Sequence, residues 1–266
     1  MDRTSEELVS RSVEGGVGQL TLNRPDRLNV FDLELAKQFL DVLESFRHTE
    51  EVRAVVLRGS GRAFSVGGDV REMWNDVHEG KDRAAYFRAP LIEFHRMVLA
   101  IREIPKPVLA VVQGAVAGVA FNLMLACDLR MAAAGTRFTQ AFMKLGLSPD
   151  GGGTYFLPRE VGHARACELA LLPTQIDAST AQSWGLINWV VAPDALDDEA
   201  RKVAQQLARG PASALARAKA LLNRGGARAL AEQLEAERLA QIDNAASPDF
   251  SEGLKAFLEK REPRFW

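Results

Sequence analysis

The sequence lacks the features that mark several large classes of protein. Its 266 residues include only two cysteines, Cys127 and Cys167, both in apolar surroundings. We therefore expect buried free thiols in a reducing compartment rather than a disulfide. No apolar run approaches the ~20 residues that a membrane span needs, and the polar segment 1–10 has no apolar core of a signal peptide. These absences predict a cytoplasmic protein with no membrane segment.

An excess of charge of one sign is also missing. Lys and Arg number 33 and Asp and Glu 35, which gives a net charge of -2. This balance offers no electrostatic case for binding nucleic acid or an anionic membrane. The four histidines are scattered and form no metal-ligand spacing with the cysteines. Residues 113–122 hold Gly114 and Gly118 but no G-x-G-x-x-G, so the dinucleotide fingerprint is absent as well.

The first half of the chain alternates apolar β-like runs with helical patterns. Gly15 and Gly16 separate the first two runs, 8–13 and 17–23, which is a hairpin signal. Asp32 is placed to cap the first helix. The later elements are strands 54–57, 108–112 and 128–134 and helices 84–104 and 123–126, the first of which Pro90 is expected to kink or restart. This alternation predicts stacked β-α units and the α/β fold class.

From residue 154 onward the pattern is almost wholly helical. Gly, Pro and Asn signals separate four helices, and Pro211 is expected at a first helical position. The predicted helices are 194–210, 211–225, 227–244 and 250–261. The change of pattern divides the chain into a core, residues 1–195, and a C-terminal helical region, residues 196–266.

Two segments offer groups suited to an anionic ligand. Residues 23–29 carry Arg24 and Arg27, and an arginine suits multidentate binding of a phosphate better than a lysine. Residues 63–70 place two glycines before Asp69, which has the position of a helix cap. Adjacent glycines let backbone amides approach a ligand closely. Taken alone, each segment is also an ordinary turn.

Two later segments add a second small-residue turn and an acid. After the strand 108–112, residues 113–122 are small enough to expose a second amide, that of Val119. Residues 140–154 place Asp150 between Pro149 and three glycines. Pro-Asp-Gly is good turn chemistry in its own right, so residue types alone favour a plain turn here.

In this order and spacing the four segments resemble the crotonase, or enoyl-CoA hydratase/isomerase, superfamily. The likeness extends to residues 252–261 near the end of the chain. It implies a crotonase (ClpP-like) spiral of β-β-α units, with a C-terminal helical region that forms trimers or dimers of trimers. It further implies an acyl-coenzyme A substrate, with coenzyme A part of that substrate and no separate cofactor.

The resemblance assigns roles to particular residues. The amides of Gly68 and Val119 match two oxyanion donors, which would stabilise the enolate of a thioester by roughly 3–4 kcal/mol each, as in other oxyanion holes. The positions that match coenzyme A contacts are Arg27, Leu28, Val66, Gly67, Asp69, Arg71 and, from a neighbouring subunit, Lys260.

The acid–base residues distinguish members of the superfamily. Typical hydratases carry two glutamates, whereas the matching positions here hold Asn122 and Phe142, two substrate-pocket residues that cannot transfer a proton. Asp150 matches the carboxylate of some 3,2-enoyl-CoA isomerases and of the ring-1,2-epoxyphenylacetyl-CoA isomerase. The sequence therefore favours an isomerase with Asp150 as its single acid and base, and an apolar neighbour such as Phe142 would raise the pKa of that acid.

Three other functions stay open. An enoyl-CoA hydratase of fatty acid β-oxidation would need Asp150 to activate water. A dehalogenase similar to the 4-chlorobenzoyl-CoA enzyme would use Asp150 as nucleophile and His95 as base, although a lone histidine on an apolar-striped helix is more often a packed core residue. A non-catalytic binder of coenzyme A thioesters would keep both oxyanion turns.

Overall fold

The computed structural model describes residues 6–266, without the side chains of residues 83, 85 and 86. Residues 1–5, part of the polar start considered above, lie outside the described residues. The strands are β1 (Val9–Glu14), β2 (Val17–Leu22), β3 (Ala54–Gly59), β4 (Val108–Val112), β5 (Ala115–Ala117), β6 (Leu129–Ala133), β7 (Arg137–Thr139), β8 (Gln175–Asp177) and β9 (Trp189–Val191).

Helices follow most of the strands and make up nearly all of the second half. They are α1 (Leu33–His48), α2 (Val70–His78), α3 (Arg83–Glu103), α4 (Val119–Ala126), α5 (Gly153–Leu171), α6 (Ala178–Ser183), α7 (Leu196–Arg209), α8 (Ala212–Gly225), α9 (Leu230–Ala245) and α10 (Pro248–Glu259). The predicted cap of the first helix is confirmed, because the Asp32 carboxylate accepts a hydrogen bond from the Leu35 amide at 2.8 Å.

The large sheet has the strand order β1-β2-β3-β4-β6-β9. Its first pair is the predicted hairpin, antiparallel about Gly15 and Gly16, which both have positive φ. The remaining neighbours run parallel. A smaller sheet has the order β5-β7-β8. Only two residues separate the end of β4, in the large sheet, from the start of β5, in the smaller one.

Both faces of the central strands are covered. In β4, Val108 and Ala110 belong to the main core with α1, α3 and α4, whereas Leu109 and Val111 face the other side. That second side packs against α7 through its small apolar stripe, which is Leu196, Ala200 and Ala204. A strand buried on both faces reads as a continuous apolar run, as 108–112 does.

Some sequence expectations are wrong. Strands β8 and β9 lie in a part of the chain that the pattern assigned to helices. Pro211 is the residue before α8 rather than its first residue. Pro90 lies inside α3, which continues through it to Glu103 as one helix and does not restart there, while the expected kink stays a prediction.

The thiols differ from each other. Cys127 is a buried free thiol, as expected, and its burial raises its pKa to about 12. Cys167 is also free but only half-buried, with its sulfur 3.5 Å from Nε2 of His163. The expectation that both thiols are buried is therefore wrong for Cys167.

The predicted division of the chain after residue 195 stays a prediction. Helix α7, which begins at the boundary, packs against the large sheet of the core. Within residues 6–266 no helix is long and apolar enough to cross a lipid bilayer.

Candidate active site

The turn after β3 presents the amide of Gly68. A parallel bridge pairs Phe31 with Gly68: the Phe31 amide donates to Gly67 O at 2.8 Å, and the Asp69 amide donates to Phe31 O at 3.2 Å. In such a bridge the N–H of the middle residue points away from the partner strand. Among the described residues none accepts a hydrogen bond from the Gly68 amide, which leaves this donor available to a ligand.

The turn after β5 presents the amide of Val119. Gly118, with φ of 55°, reverses the chain, and Val119 is the first residue of α4. The first amides of a helix have no partner inside it, and no described residue accepts from this one. Because α4 is buried along its whole length, the amide is held rigidly at a helix end that favours negative charge.

Contacts between the two turns bring these amides together. Ser65 pairs with Val116 in a second parallel bridge, and the Ala117 amide donates to Ser65 O at 3.0 Å. A Cβ atom placed on Gly67 would lie 2.8 Å from Ala117 O and 3.6 Å from the nitrogen of Val119. Glycine at position 67 therefore allows the close approach that an oxyanion hole of two amides requires.

Asp150 lies on a loop packed against the start of α4. A Cβ atom placed on the next residue, Gly151, would lie 3.0 Å from Cγ2 of Val119. The Asp150 side chain is half-buried, and its Oδ1 is fully buried with no hydrogen-bond partner among the described residues. Burial, which disfavours the charged form, raises the pKa of Asp150 to about 6. An acid in this range can both take and return a proton near neutral pH.

The two positions that match the hydratase glutamates lie in the same region. Asn122 is fully buried, and both ends of its amide bind protein groups: Gln140 Nε2 donates to Oδ1 at 2.9 Å, and Nδ2 donates to Asp150 O at 2.7 Å. Phe142 is buried, and its ring edge lies 3.8 Å from a Cβ atom placed on Gly118. Neither side chain can move a proton in this setting.

Three arginines line a cavity of about 360 Å³ beside Gly68. Arg27 and Arg71 were predicted from the resemblance, and Arg62 joins them. The remaining walls include most of the other predicted coenzyme A contacts, namely Leu28, Val66 and Asp69. Guanidinium groups gathered at one opening suit a ligand that carries phosphates.

Hydrogen bonds fix the floor of this cavity. The buried Asp69 carboxylate pairs with Arg27 and accepts from the amides of Arg71 and Glu72 at the start of α2. It therefore orients one of the arginines and caps a helix at once. Asn29, also fully buried, donates through Nδ2 to three main-chain oxygens of the turn after β3, those of Ser60, Ala63 and Phe64.

Two predicted residues lie apart from this cluster. His95 is on an exposed face of α3, while its neighbours Phe94 and Met97 face the core. The reading of this histidine as a packed core residue is wrong. Lys260 is exposed at the end of α10, and the arginine cavity of this subunit does not include it among its described walls.

A larger cavity, of about 470 Å³, lies between α3, α5 and α8. It reaches the Asp150 loop at Gly152 and extends to Lys219 and Arg224 of α8. It marks the seam between the C-terminal helices and the core. Within residues 6–266, no group of three His, Cys, Asp or Glu side chains is arranged to hold a metal ion.

Sequence reasoning missed Asn29, Arg62 and Gln140 as organising residues of the site. Asn29 has φ of 54°, and asparagine is the side chain that most readily takes such a conformation, so its position in a turn was an available signal. Arg62 carried none beyond its charge. Gln140 acts on a residue 18 positions earlier in the chain, and no local pattern indicates that contact.

The architecture matches that of solved enzyme structures. A crystal structure of an enoyl-CoA hydratase from Polaromonas sp. JS666 superimposes with a TM-score of 0.90 at 34% sequence identity, covering 96% of this chain and 98% of that one. Stacked strand and helix units that superimpose in this way on a solved enoyl-CoA hydratase define the crotonase fold class. The expected fold is confirmed.

Whole-length relatives give the family. The family model for enoyl-CoA hydratase/isomerase matches residues 12–266. The 1,2-epoxyphenylacetyl-CoA isomerase of Escherichia coli is 39% identical over 97% of this chain and 98% of its own length. A Rhodobacter capsulatus protein named "Probable enoyl-CoA hydratase" is 40% identical over 98% of each chain. The chain belongs to the enoyl-CoA hydratase/isomerase family of enzymes.

Proposed function

We propose that this protein isomerises an enoyl-CoA double bond, or an epoxyacyl-CoA, with Asp150 as its single acid and base. The observation that carries the proposal is the Asp150 carboxyl group. Burial raises its pKa to about 6, and its buried Oδ1 has no partner among the described residues. The loop that bears it packs on the residue whose amide is the second proposed oxyanion donor.

The chemistry needs one carboxylate and two amides. For a 3-enoyl thioester, the Asp150 carboxylate takes a proton from C2, and the electron pair of that C–H bond forms a dienolate whose charge lies on the thioester oxygen. The amides of Gly68 and Val119 stabilise this oxygen. Asp150, now protonated, returns the proton at C4, which leaves the double bond between C2 and C3. The carboxylate is regenerated, and no water is consumed.

The surroundings of Asp150 argue against efficient hydration. A water-adding enzyme with two acids orients and cleaves one water between them. Here the Asn122 amide is bound at both ends by protein groups, and Phe142 has no proton to give. One relative bears a hydratase name, so hydration is the reaction to measure beside isomerisation.

A dehalogenase mechanism has less support. It would need a base to activate the water that hydrolyses the ester between Asp150 and the aryl group of the substrate. The candidate base, His95, lies on an exposed face of α3.

The proposed substrate is an acyl-CoA thioester whose phosphates lie against Arg27, Arg62 and Arg71. The E. coli relative is named for a coenzyme A thioester, and the arginine cavity opens beside Gly68. We propose no separate cofactor, since coenzyme A enters as part of the substrate.

The proposed assembly is a trimer or a dimer of trimers. The C-terminal helices expose large apolar side chains that a single subunit leaves uncovered. Phe257 is 82% exposed and Leu258 is 78% exposed, both on α10. In that assembly Lys260, which follows them at the helix end, would reach the coenzyme A of a neighbour.

The test is a pair of assays on purified protein. One follows conversion of trans-3-hexenoyl-CoA to the 2-enoyl product, and the other follows hydration of crotonyl-CoA. We expect fast isomerisation with little hydration, and a loss of isomerisation of about 10²–10⁴-fold in Asp150→Asn. Asp41→Asn, which changes an exposed aspartate of α1, is the matched control and should keep full activity.

Either result separates the candidate functions. Full activity of Asp150→Asn on every accepted thioester would contradict the proposed role. Hydration faster than isomerisation would assign the enzyme to the hydratases. Activity on neither aliphatic substrate would direct the assay to epoxyacyl and halogenated aryl thioesters, and binding without turnover of any of them would indicate a non-catalytic binder.

A further inference from the structure

A chain of buried side-chain amides runs from β7 to the Asp150 loop through α4. Gln140, just after β7, is 1% exposed, and Asn122 is fully buried. Asn122 Nδ2 donates to Asp150 O at 2.7 Å, while Asn122 Oδ1 accepts from Gln140 Nε2 at 2.9 Å. A carbonyl oxygen can only accept, so the Asp150 end fixes which way the Asn122 amide faces. That orientation in turn requires Gln140 to present its NH₂ group.

The loop is pressed onto the first turn of α4. A Cβ atom placed on Gly153 would lie 2.5 Å from Asn122 Nδ2, and one placed on Gly151 would lie 3.4 Å from Asn122 Cβ. A side chain at position 153 would collide with the Asn122 amide, and Gly151 has a φ of 56°, a conformation that glycine adopts most readily. The glycines after Asp150 therefore serve the same contact as the asparagine.

The same helical turn carries the proposed oxyanion donor. Val119 and Asn122 are three positions apart in α4, which places them on one face of the helix. Val119 offers its amide at the helix start, and Asn122 holds the carbonyl of the residue whose carboxyl group moves the proton. One rigid, wholly buried element thus sets both parts of the site.

We propose that Asn122, supported by Gln140, is a positioning residue that fixes the Asp150 carboxyl group relative to the Val119 amide. The inference rests on the proposed function and adds to it a second role for α4. It also gives Asn122 a task of its own, because an ionised glutamate at this position would have no donor for the Asp150 carbonyl group. Under this proposal the site has one proton-transferring carboxyl group, that of Asp150, and Asn122 positions it.

The decisive variant is Asn122→Leu, which keeps the volume of the side chain and removes both hydrogen bonds. We expect kcat for isomerisation to fall about 10–100-fold, because a displacement of about 1 Å at a reacting group has effects of this size. KM should change less than threefold, since the arginine cavity is untouched. Without the hydrogen bond from Asn122, the Asp150 carboxylate should become more accessible to water. The acid limb of the kcat–pH profile should then move from about 6 toward lower pH.

Two controls separate positioning from general stability. Asn223→Leu removes one hydrogen bond of the same type, from Nδ2 to Arg102 O at 2.8 Å, between α8 and α3. It should lower Tm while kcat and its pH profile stay unchanged. The infrared carbonyl stretch of a bound saturated acyl-CoA reports the oxyanion amides. It should be the same in Asn122→Leu as in the unchanged enzyme.

Gln140→Met provides a second, milder variant, because it removes the donor to Asn122 and leaves the bond to Asp150 in place. It should lower kcat by a smaller factor and move the acid limb in the same direction. If Asn122→Leu does not fold, this variant decides the matter. Unchanged kcat and an unchanged acid limb in a folded variant would overturn the inference. Failure of Asp150→Asn to reduce turnover would instead overturn the proposed function on which the inference rests.

Discussion

At the residue scale, Asp150 combines an ionisable group with surroundings that disfavour its charge. Its pKa is raised to about 6 mainly by burial. The buried Oδ1 lacks a partner among the described residues, and the main-chain amide of Asp150 itself lowers the pKa by less than burial raises it. A group held in this way costs the folded state free energy whenever it is charged, and the proposed function uses that same charge to remove a proton.

The pKa of Asp150 predicts how activity depends on pH. As a base, the carboxylate is competent only when ionised, so kcat should rise as the pH passes through about 6 and level off above it. The measurement is kcat for isomerisation between pH 4.5 and 8.5, over the range in which circular dichroism shows the protein folded. A flat profile across this interval would show that Asp150 does not limit the reaction.

The same group predicts a pH-dependent gain in stability on its removal. Because the folded-state pKa lies above 3.8, the ordinary value for an aspartate, ionised Asp150 destabilises the fold above about pH 6, and the penalty disappears as the pH falls below about 4. Asp150→Asn should therefore raise the free energy of unfolding by up to about 3 kcal/mol at pH 8. At pH 4 it should have almost no effect. Urea unfolding at both values checks this, and an equal effect at both would contradict it.

Gly67 predicts a steric effect that can be separated from backbone strain. Its φ is 87°, and a Cβ atom would lie 2.8 Å from Ala117 O. Gly67→Ala should separate the two turns and lower kcat at least tenfold, with a stability loss of more than about 1 kcal/mol. Gly135, with φ of 89° and nothing within 4 Å of a Cβ atom, is the matched control. Gly135→Ala should lose stability to strain alone and keep its activity.

Single residues also show where prediction from sequence ends. Asp150 and the small residues around positions 68 and 119 lie in recognisable local segments, so the candidate site could be located before the structure. The two bonds of Asn122 reach residues 28 and 18 positions away, and such pairs depend on how loops meet. The exposure of His95 follows from which face of α3 packs on the core, and an apolar stripe interrupted by charged residues did not resolve it.

At the element scale, the strands that could be predicted are those with enough length to show a pattern. The buried run of β4 and the glycine pair between β1 and β2 are strong local signals. Strands β8 and β9 have three residues each, and they pair with β7 and β6 far back in the sequence. A three-residue strand is too short for alternation to be visible, so only its distant partner defines it.

The link between α8 and the core depends on a buried lysine. Lys219 is 7% exposed, and its Nζ lies 2.8 Å from Asp128 Oδ2 while donating to Ile101 O at 2.7 Å and Lys106 O at 3.0 Å. Ile101 lies near the end of α3, Lys106 lies just before β4, and Asp128 lies just before β6. The C-terminal helices are thus joined to the core by a charge that its neighbours satisfy.

Removing this lysine predicts a large stability loss. Lys219→Met leaves Asp128 and two carbonyl groups without their partner and should cost about 3–5 kcal/mol, as broken buried pairs do. Adding Asp128→Asn should recover part of the loss, which a double-mutant cycle in urea would measure. Arg238→Met, which breaks the exposed pair with Glu235, is the control and should change stability little. A loss as small as that of the control would show that the link is unimportant.

At the scale of the whole molecule, the proposed assembly gives the exposed face of α10 a partner. Leu258→Glu should dissociate the oligomer, because it places a charge on an apolar surface that the assembly would bury. Sedimentation velocity measures the change in mass. If Lys260 binds the coenzyme A of a neighbour, the dissociated form should also bind acyl-CoA more weakly.

The control for this prediction is Val13→Glu. Val13 is also apolar and 48% exposed, but it lies on β1 at the edge of the large sheet. This variant should keep both the oligomer and its affinity for acyl-CoA. A sedimentation coefficient of a monomer for the unchanged protein would contradict the proposed assembly outright.

The proposed oxyanion donors are main-chain amides, and this limits what mutation can do to them. A codon specifies a side chain, so almost any coding change at position 119 leaves the nitrogen and its hydrogen in place, proline being the exception. An alanine scan would leave both donors in place, so any effect at these two positions would report side-chain packing, such as that of Val119 against Gly151, and not the loss of an amide. Only a semisynthetic enzyme with an ester in place of the amide at position 119 would remove that donor alone, which makes this part of the site nearly invisible to genetics.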